Sequence, residues 1–390
     1  MHAVVDAVGM FIEPLWPELR STLRLSEGEL FVLLAVTAVA PNFSQILFGF
    51  VQDRYGSRYL LWLGPAAAAV CLSLIGMAGT VSSLGLLLTA GYVAIGSFHP
   101  EAAVFAGKLL PEHRTRAISL FIFGGTMGLG IGPALSGNLV KLHGLSALTW
   151  LAVPLLVLIA GIHLISRRAV AAVEISQTHE FHAEAAPLSA RWKLALFLLL
   201  ICSLRVVPNT GMIRALAFTL GQRDYATDTI GNVQSLFLVC GSLGILLVGS
   251  RFGRGSERWL MIYSPLAAVP LMIGLAIPDC PTWLLVALLV PSGVVLVGTT
   301  PAMVSYAHQL FPRDAGKASA LTMGLSWGTS GLAVAGMTTV FVDQFHEPAL
   351  LFAAFVPCLA GSAAGAIFLP QVESVKVPEQ TCQPSGVPAQ

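Results

Sequence analysis

The sequence predicts an all-helical membrane protein, with twelve transmembrane helices arranged as two pseudo-symmetric six-helix bundles. Three observations carry that reading. Apolar residues make up 55% of the chain and charged residues 11%, against about 25% charged in an average soluble domain. Apolar runs long enough to cross a bilayer, about 20 residues each, recur twelve times. The chain also repeats itself: Gly96–Pro111 returns as Gly298–Pro312, with Pro100 and Pro111 echoed 201 residues later, and Val51–Gly56 returns as Val248–Gly253. Two homologous bundles facing each other across a midplane site are a common transporter plan.

The spans fall near 2–20, 29–52, 59–79, 84–108, 116–140, 147–165, 192–219, 228–250, 259–278, 282–309, 318–341 and 349–369. The first is the least regular, because it carries Asp6 and Glu13. The domain division follows: an N-terminal bundle over 1–165, a linker over 166–191, a C-terminal bundle over 192–370 and a tail over 371–390 rich in Pro, Gln and Ser, expected to be disordered. No basic leader with a small-residue cleavage site is visible, and the chain begins almost at its first span.

Positive charge sets the orientation. With the linker in the cytoplasm, that side carries Arg54, Arg58, Lys108, Arg114, Arg116, Arg167, Arg168, Arg191, Lys193, Arg251, Arg254, Arg258, Arg313, Lys317 and Lys376. The other side carries Arg20, Arg24, Lys141 and Arg223. Fifteen against four places both termini in the cytoplasm of a cell whose inner membrane the chain spans many times. The formal charge of +1 and the absence of a basic stripe exclude nucleic acid as a partner. Six scattered cysteines, with no CxxC pair, read as small apolar residues. A metal site is not expected: His179, Glu180, His182 and Glu184 in the linker lack a ligand spacing such as HExxH. No nucleophile–base pair marks an enzyme, and no cofactor is expected beyond a proton gradient.

Two motifs belong to helix ends and helix faces. Gly49-Phe-Val-Gln-Asp53-Arg54-Tyr-Gly56-Ser-Arg58 ends the second span. Gly49 would let a helix approach closely, Asp53 would pair with a basic group and Gly56 would allow the turn. Gly124-Gly-Thr-Met-Gly128-Leu-Gly130-Ile-Gly132-Pro133 makes a flat face on the fifth span, with Pro133 expected to bend it. The first motif resembles the loop signature of the major facilitator superfamily, and the second resembles the Gly-Pro motif of its antiporter branch. That resemblance implies alternating access, with Gly49, Asp53, Arg54, Gly56, Arg58, Gly128, Gly132 and Pro133 in gating roles. The second copies depart from the pattern, with Ser250 where Asp53 stands and Ala333-Val334 where Gly132-Pro133 stand. His2, Asp6, Pro17, Gln45 and Phe98-His99-Pro100-Glu101 are similar to the fosmidomycin-resistance family of exporters, chiefly over the N-terminal half.

Ionisable groups within spans are costly and usually functional. His2, Asp6 and Glu13 fall on one stripe of a regular helix and, with His99 and Glu101, are the candidate proton-coupling residues. His99 and Glu101 differ by about 200° around their helix, so one at most faces a cavity squarely. Arg205 and Arg214 are candidate ligands for an anion. Nine residues apart, they share a cavity only if the helix breaks near Pro208. Gly9–Glu13 resembles Gly211–Arg214, which makes Glu13 and Arg214 pseudo-symmetry mates, with Glu13 or Asp6 expected to neutralise Arg214. Asn42, Gln45, Asn232 and Gln234 are candidate ligands for a polar substrate, or helix-to-helix hydrogen bonds. The function expected is proton-coupled export of a small, anionic organic molecule by a monomer in the bilayer. Proton–anion symport is the alternative.

Overall fold

The computed structural model describes residues 1–55, 58–109, 114–172, 188–253, 255–277 and 279–371. Its elements are helical throughout. The first membrane element is broken into α1 (His2–Gly9), a 3-10 turn over Glu13–Leu15, and α2 (Trp16–Leu23). Pro14 and Pro17 explain the break, since each removes a backbone donor within eight residues of Gly9. The N-terminal half continues with α3 (Glu27–Tyr55), α4 (Leu60–Ser73), α5 (Val81–Leu109), α6 (Arg114–His143) and α7 (Ala152–Ala172). The C-terminal half contains α8 (Trp192–Gln222), α9 (Thr227–Arg251), α10 (Glu257–Leu275), α11 (Thr282–Leu296), α12 (Thr300–Leu310), α13 (Ala315–Ser319), α14 (Ser326–Thr339) and α15 (Leu350–Ile367). α11 and α12 share one span, interrupted at Val297–Thr299. α13 and α14 share another, with a π-helical turn at Ala320–Leu325 and a second at Val340–Gln344. Among the described residues, eleven stretches are long and apolar enough to cross a membrane, and the broken first element stands at the twelfth position. α7 runs to Ala172, seven residues into the stretch read as linker. Residues 173–187, with His179 to Glu184, and the tail 372–390 lie outside the described residues.

Local chemistry starts these helices where the sequence says. Ser26 and Glu29 form a capping box at the head of α3: the Ser26 hydroxyl donates to Glu29 Oε2 at 2.7 Å and the Ser26 amide at 2.9 Å. Thr80 caps α5 by accepting the Ser83 amide at 3.1 Å. Gly144, at φ +80°, turns the chain out of α6 in a conformation only glycine adopts without strain.

One apolar core fills the N-terminal half, around Phe11, Leu15, Trp16, Leu34 and Leu88; two fill the C-terminal half, around Met212, Phe237, Phe352 and around Leu198, Tyr306, Phe311. The halves meet along two seams, α3 on α14 and α6 on α9. Small residues make both seams close. On α14, a Cβ added at Gly331 would lie 2.4 Å from Ala38 Cβ and one at Gly328 2.8 Å from Phe43, while one at Gly324, in the preceding π turn, would make ordinary contact 3.6 Å from the Asn42 carbonyl. Cross-half hydrogen bonds tie the seams: those among the described residues lie at the seams' far ends or midway, as in Asn138 to Asn232 at 2.9 Å and Thr227 to the Gly137 carbonyl at 3.2 Å. Among the described residues, the halves are thus bonded at the far ends and middle of both seams.

Candidate functional site

The close contacts of α6 begin with its glycines. An added Cβ at Gly128 would sit 2.2 Å from the Ala3 carbonyl, and one at Gly132 2.2 Å from the Ala7 carbonyl. Only hydrogen at these positions lets α1 lie against α6. The same helix turns a second face to α9. Gly231 passes over the Pro133 carbonyl, 2.2 Å from where its Cβ would be, and the Ala134 amide donates to Ser235 Oγ at 2.9 Å. α6 remains one helix through Pro133. Gly49 meets nothing within 4 Å where its Cβ would stand, so the close approach expected there is corrected. Gly56 and the side chains of Asp53 and Arg54 lie outside the described residues. Arg58 begins the turn into α4, its carbonyl accepting the Leu61 amide at 3.3 Å.

The ionisable groups of the first element do not share one stripe. The helix stops at Gly9, and the turn at Glu13 points the second carboxylate elsewhere. Asp6 faces α5, where its two oxygens meet His2 Nε2 at 3.2 Å and His99 Nε2 at 3.2 Å. His2 Nδ1 lies 2.7 Å from the Phe121 carbonyl and stacks on that ring; His99 Nδ1 lies 2.9 Å from the Ile95 carbonyl. Gly125 closes the third wall, since a Cβ there would fall 2.3 Å from His2 Cε1. Glu101 is buried further round α5.

Glu13 instead reaches across to α8. Its Oε1 stands 3.6 Å from Arg214 Nη2, and the same guanidinium donates to Thr37 Oγ1 on α3. Glu13 Oε2 has no hydrogen-bond partner among the described residues. Gln234 braces the pair from α9, donating to the Ile213 carbonyl at 2.8 Å and the Glu13 carbonyl at 3.3 Å. Tyr92 donates to the Gly9 carbonyl at 2.6 Å, fixing the joint from which Glu13 projects. Glu13 is 7% exposed and Arg214 6%, so the pair is buried between the halves. Asp6 does not neutralise Arg214; its charge is committed to the two histidines.

Arg205 is a different kind of residue. α8 is continuous through Pro208, so the expected break is absent and the two arginines occupy opposite faces. Arg205, 1% exposed, lies inside the C-terminal bundle and donates to the Val295 and Leu296 carbonyls at 3.2 and 3.0 Å, to Ser264 at 3.3 Å, and to Thr299. Those carbonyls border the interruption at Val297–Thr299, so Arg205 pins a broken span and is removed from the substrate-ligand set. Asn232 is also reassigned: it bonds Asn138 across the far end of the α6–α9 seam. Asn42 donates to the Ala38 carbonyl at 2.7 Å and accepts from Gln45 at 3.4 Å, beside Gly328 on the other seam.

One functional pair escaped the sequence reading. Arg20, at the end of α2, forms an ion pair with Asp343 in the π-helical turn after α14. The bond joins the two halves on the far side. Each residue alone reads as an ordinary charge at a span end.

Comparisons with known proteins decide the family. The family described as Major Facilitator Superfamily matches residues 1–336. The chain belongs to that superfamily. The fosmidomycin resistance protein of Escherichia coli (strain K12) is 26% identical over 380 residues, covering 95% of this chain and 90% of its own. An uncharacterized MFS-type transporter, YfnC of Bacillus subtilis (strain 168), is 24% identical over 366 residues, covering 92% and 88%. Among solved structures, a D-xylose-proton symporter aligns with a TM-score of 0.72 at 14% identity, covering 95% of this chain and 96% of its own. The inward open conformation of the xylose transporter XylE from E. coli aligns at 0.69 and 14% identity, covering 96% of each. At those identities the structures speak for the fold alone. The chain is a multi-span membrane transporter of small molecules and not an enzyme.

Proposed function

We propose that this transporter exports a small organic anion, a phosphonate or carboxylate, across the inner membrane in exchange for protons, with both termini and the linker in the cytoplasm. The observation that carries the anion assignment is the Glu13–Arg214 pair, held between the halves at 3.6 Å. A guanidinium is a forked donor suited to phosphonate and carboxylate oxygens. In the resting protein Glu13 supplies the negative charge that an arriving anion would replace. Gln234 and Thr37 are the neighbouring polar groups, Gln45 and Asn42 the next along α3. Glu13 is the proton carrier in this reading, because it is the carboxylate that faces Arg214 across the two halves.

Export is supported by the resistance proteins among the relatives. Exchange is also the energetically stronger scheme for an anion. One anion leaving and one proton entering move two charges with the field, about 2.3 kcal/mol per charge per 100 mV. A second reading has its own support: an anion that displaces Glu13 and a proton that then binds Glu13 are carried in the same direction, which is symport. Fosmidomycin, itself a phosphonate, is a suitable first probe for either. Expression in a sensitised host is expected to raise its inhibitory concentration, and Arg214→Ala to abolish the increase at unchanged protein level. Equal resistance from the parent and Arg214→Ala refutes the site.

A further inference from the structure

We propose that His2, Asp6 and His99 form a binding site for a divalent transition-metal ion of the zinc class. The site lies wholly in the N-terminal half and is independent of the Arg214 reading. One ligand atom from each residue falls within 4.8 Å of the others; His2 Nε2 lies 3.2 Å from Asp6 Oδ2, and His99 Nε2 3.2 Å from Asp6 Oδ1. Tetrahedral zinc, with bonds of about 2.0–2.1 Å, needs its ligand atoms about 3.3 Å apart.

The second layer around these ligands is the stronger argument. A backbone carbonyl only accepts hydrogen bonds, so the Phe121 and Ile95 carbonyls require a proton on Nδ1 of His2 and of His99. In each neutral ring the lone pair then sits on Nε2, and both Nε2 atoms face the Asp6 carboxylate. Three acceptors converge with no donor between them. Either extra protons on the rings or a single cation must fill that space. Metal-bound histidines are typically oriented in this way, with the far ring nitrogen donating to a carbonyl.

The surroundings suit an ion that exchanges. The three side chains are 13, 12 and 26% exposed, so the ligands are reachable from outside the protein core. Three protein ligands leave a fourth position open. Gly125 makes room for the group, since any side chain there would displace His2 and Asp6, whose Oδ2 would lie 2.7 Å from its Cβ. Because α1 and α5 each contribute, a bound ion would brace the first element against the bundle.

The test uses the full-length protein in detergent at mildly alkaline pH, since metal binding to histidine competes with protons. Cobalt(II) is expected to bind once per chain with the intense visible absorption of a four-coordinate ion, and zinc to displace it. His99→Gln and Asp6→Asn are each expected to weaken cobalt binding at least tenfold, while His143→Ala, an exposed histidine elsewhere, leaves it unchanged. Should either variant fail to fold, the parent alone still decides: zinc is expected to raise its unfolding temperature, saturating at one equivalent. A parent with neither the absorption band nor a zinc-dependent shift, or a band that survives in folded His99→Gln, overturns the assignment and leaves the cluster holding protons only.

Discussion

Loss of the Arg20–Asp343 bond is expected to shift the protein from the state bonded on its far side toward the opposite state. The Asp343 side chain is 2% exposed and that of Arg20 33%. Breaking a fully buried ion pair by deleting one partner costs about 3–5 kcal/mol, because the remaining charge stays buried. Here one partner keeps a third of its exposure, and solvent screening reduces the effect to about 2 kcal/mol. Opening the far side hydrates both groups, so the penalty falls on the bonded state alone. About 2 kcal/mol corresponds to roughly a 30-fold change in the equilibrium between states. Spin labels at Leu142 and Trp283, both more than 70% exposed on the far side of opposite halves, report the distance across that side in a cysteine-free background. Arg20→Ala is expected to add or enlarge a long-distance population, and adding Asp343→Asn to reverse much of it by removing the stranded charge. An Arg20→Ala distribution identical to the parent's would refute the latch.

Gly128→Val would push a side chain into the Ala3 backbone, which cannot yield as a flexible side chain would; a loss of about 2 kcal/mol or more, read as a lower unfolding temperature in detergent, is expected, whereas Gly49→Ala, in open space, should be close to neutral. Arg205→Leu removes the charged donor shared by Val295, Leu296, Ser264 and Thr299 around the α11–α12 interruption, at about 1.5–3 kcal/mol for a hydrogen bond to a charged group, so expression as a monodisperse protein should fall. Arg205→Lys should not restore it, because an ammonium cannot span the same fork of acceptors.

The spans were legible because hydropathy and loop charge are summed over many residues, and single exceptions do not alter a run of 20. The interruption at Val297–Thr299 was not legible, since the donor bound to the groups beside it, Arg205, lies more than ninety residues from Leu296 and Thr299 in the chain. The same local view misjudged Pro208, which sits within a continuous helix; inside such helices neighbouring groups take up the freed backbone atoms, as Ser235 does for Ala134 beside Pro133. At the site, periodicity put His2, Asp6 and Glu13 on one stripe, but Pro14 and Pro17 end α1 and send the two carboxylates to different partners. The internal repeat did better than periodicity with Glu13 and Arg214, because pseudo-symmetry places residues across an interface that no single helix contains. Arg20 and Asp343 carried no such signal.

The central claim is that Glu13 and the transported anion compete for Arg214 while protons drive the exchange. Proteoliposomes preloaded with labelled fosmidomycin, given a proton gradient directed from the outside in, test it most directly. Accelerated loss of label from the parent, abolished by Arg214→Ala and uncoupled from pH by Glu13→Gln, is the result the account predicts. Uptake of external label driven by that same gradient would contradict it.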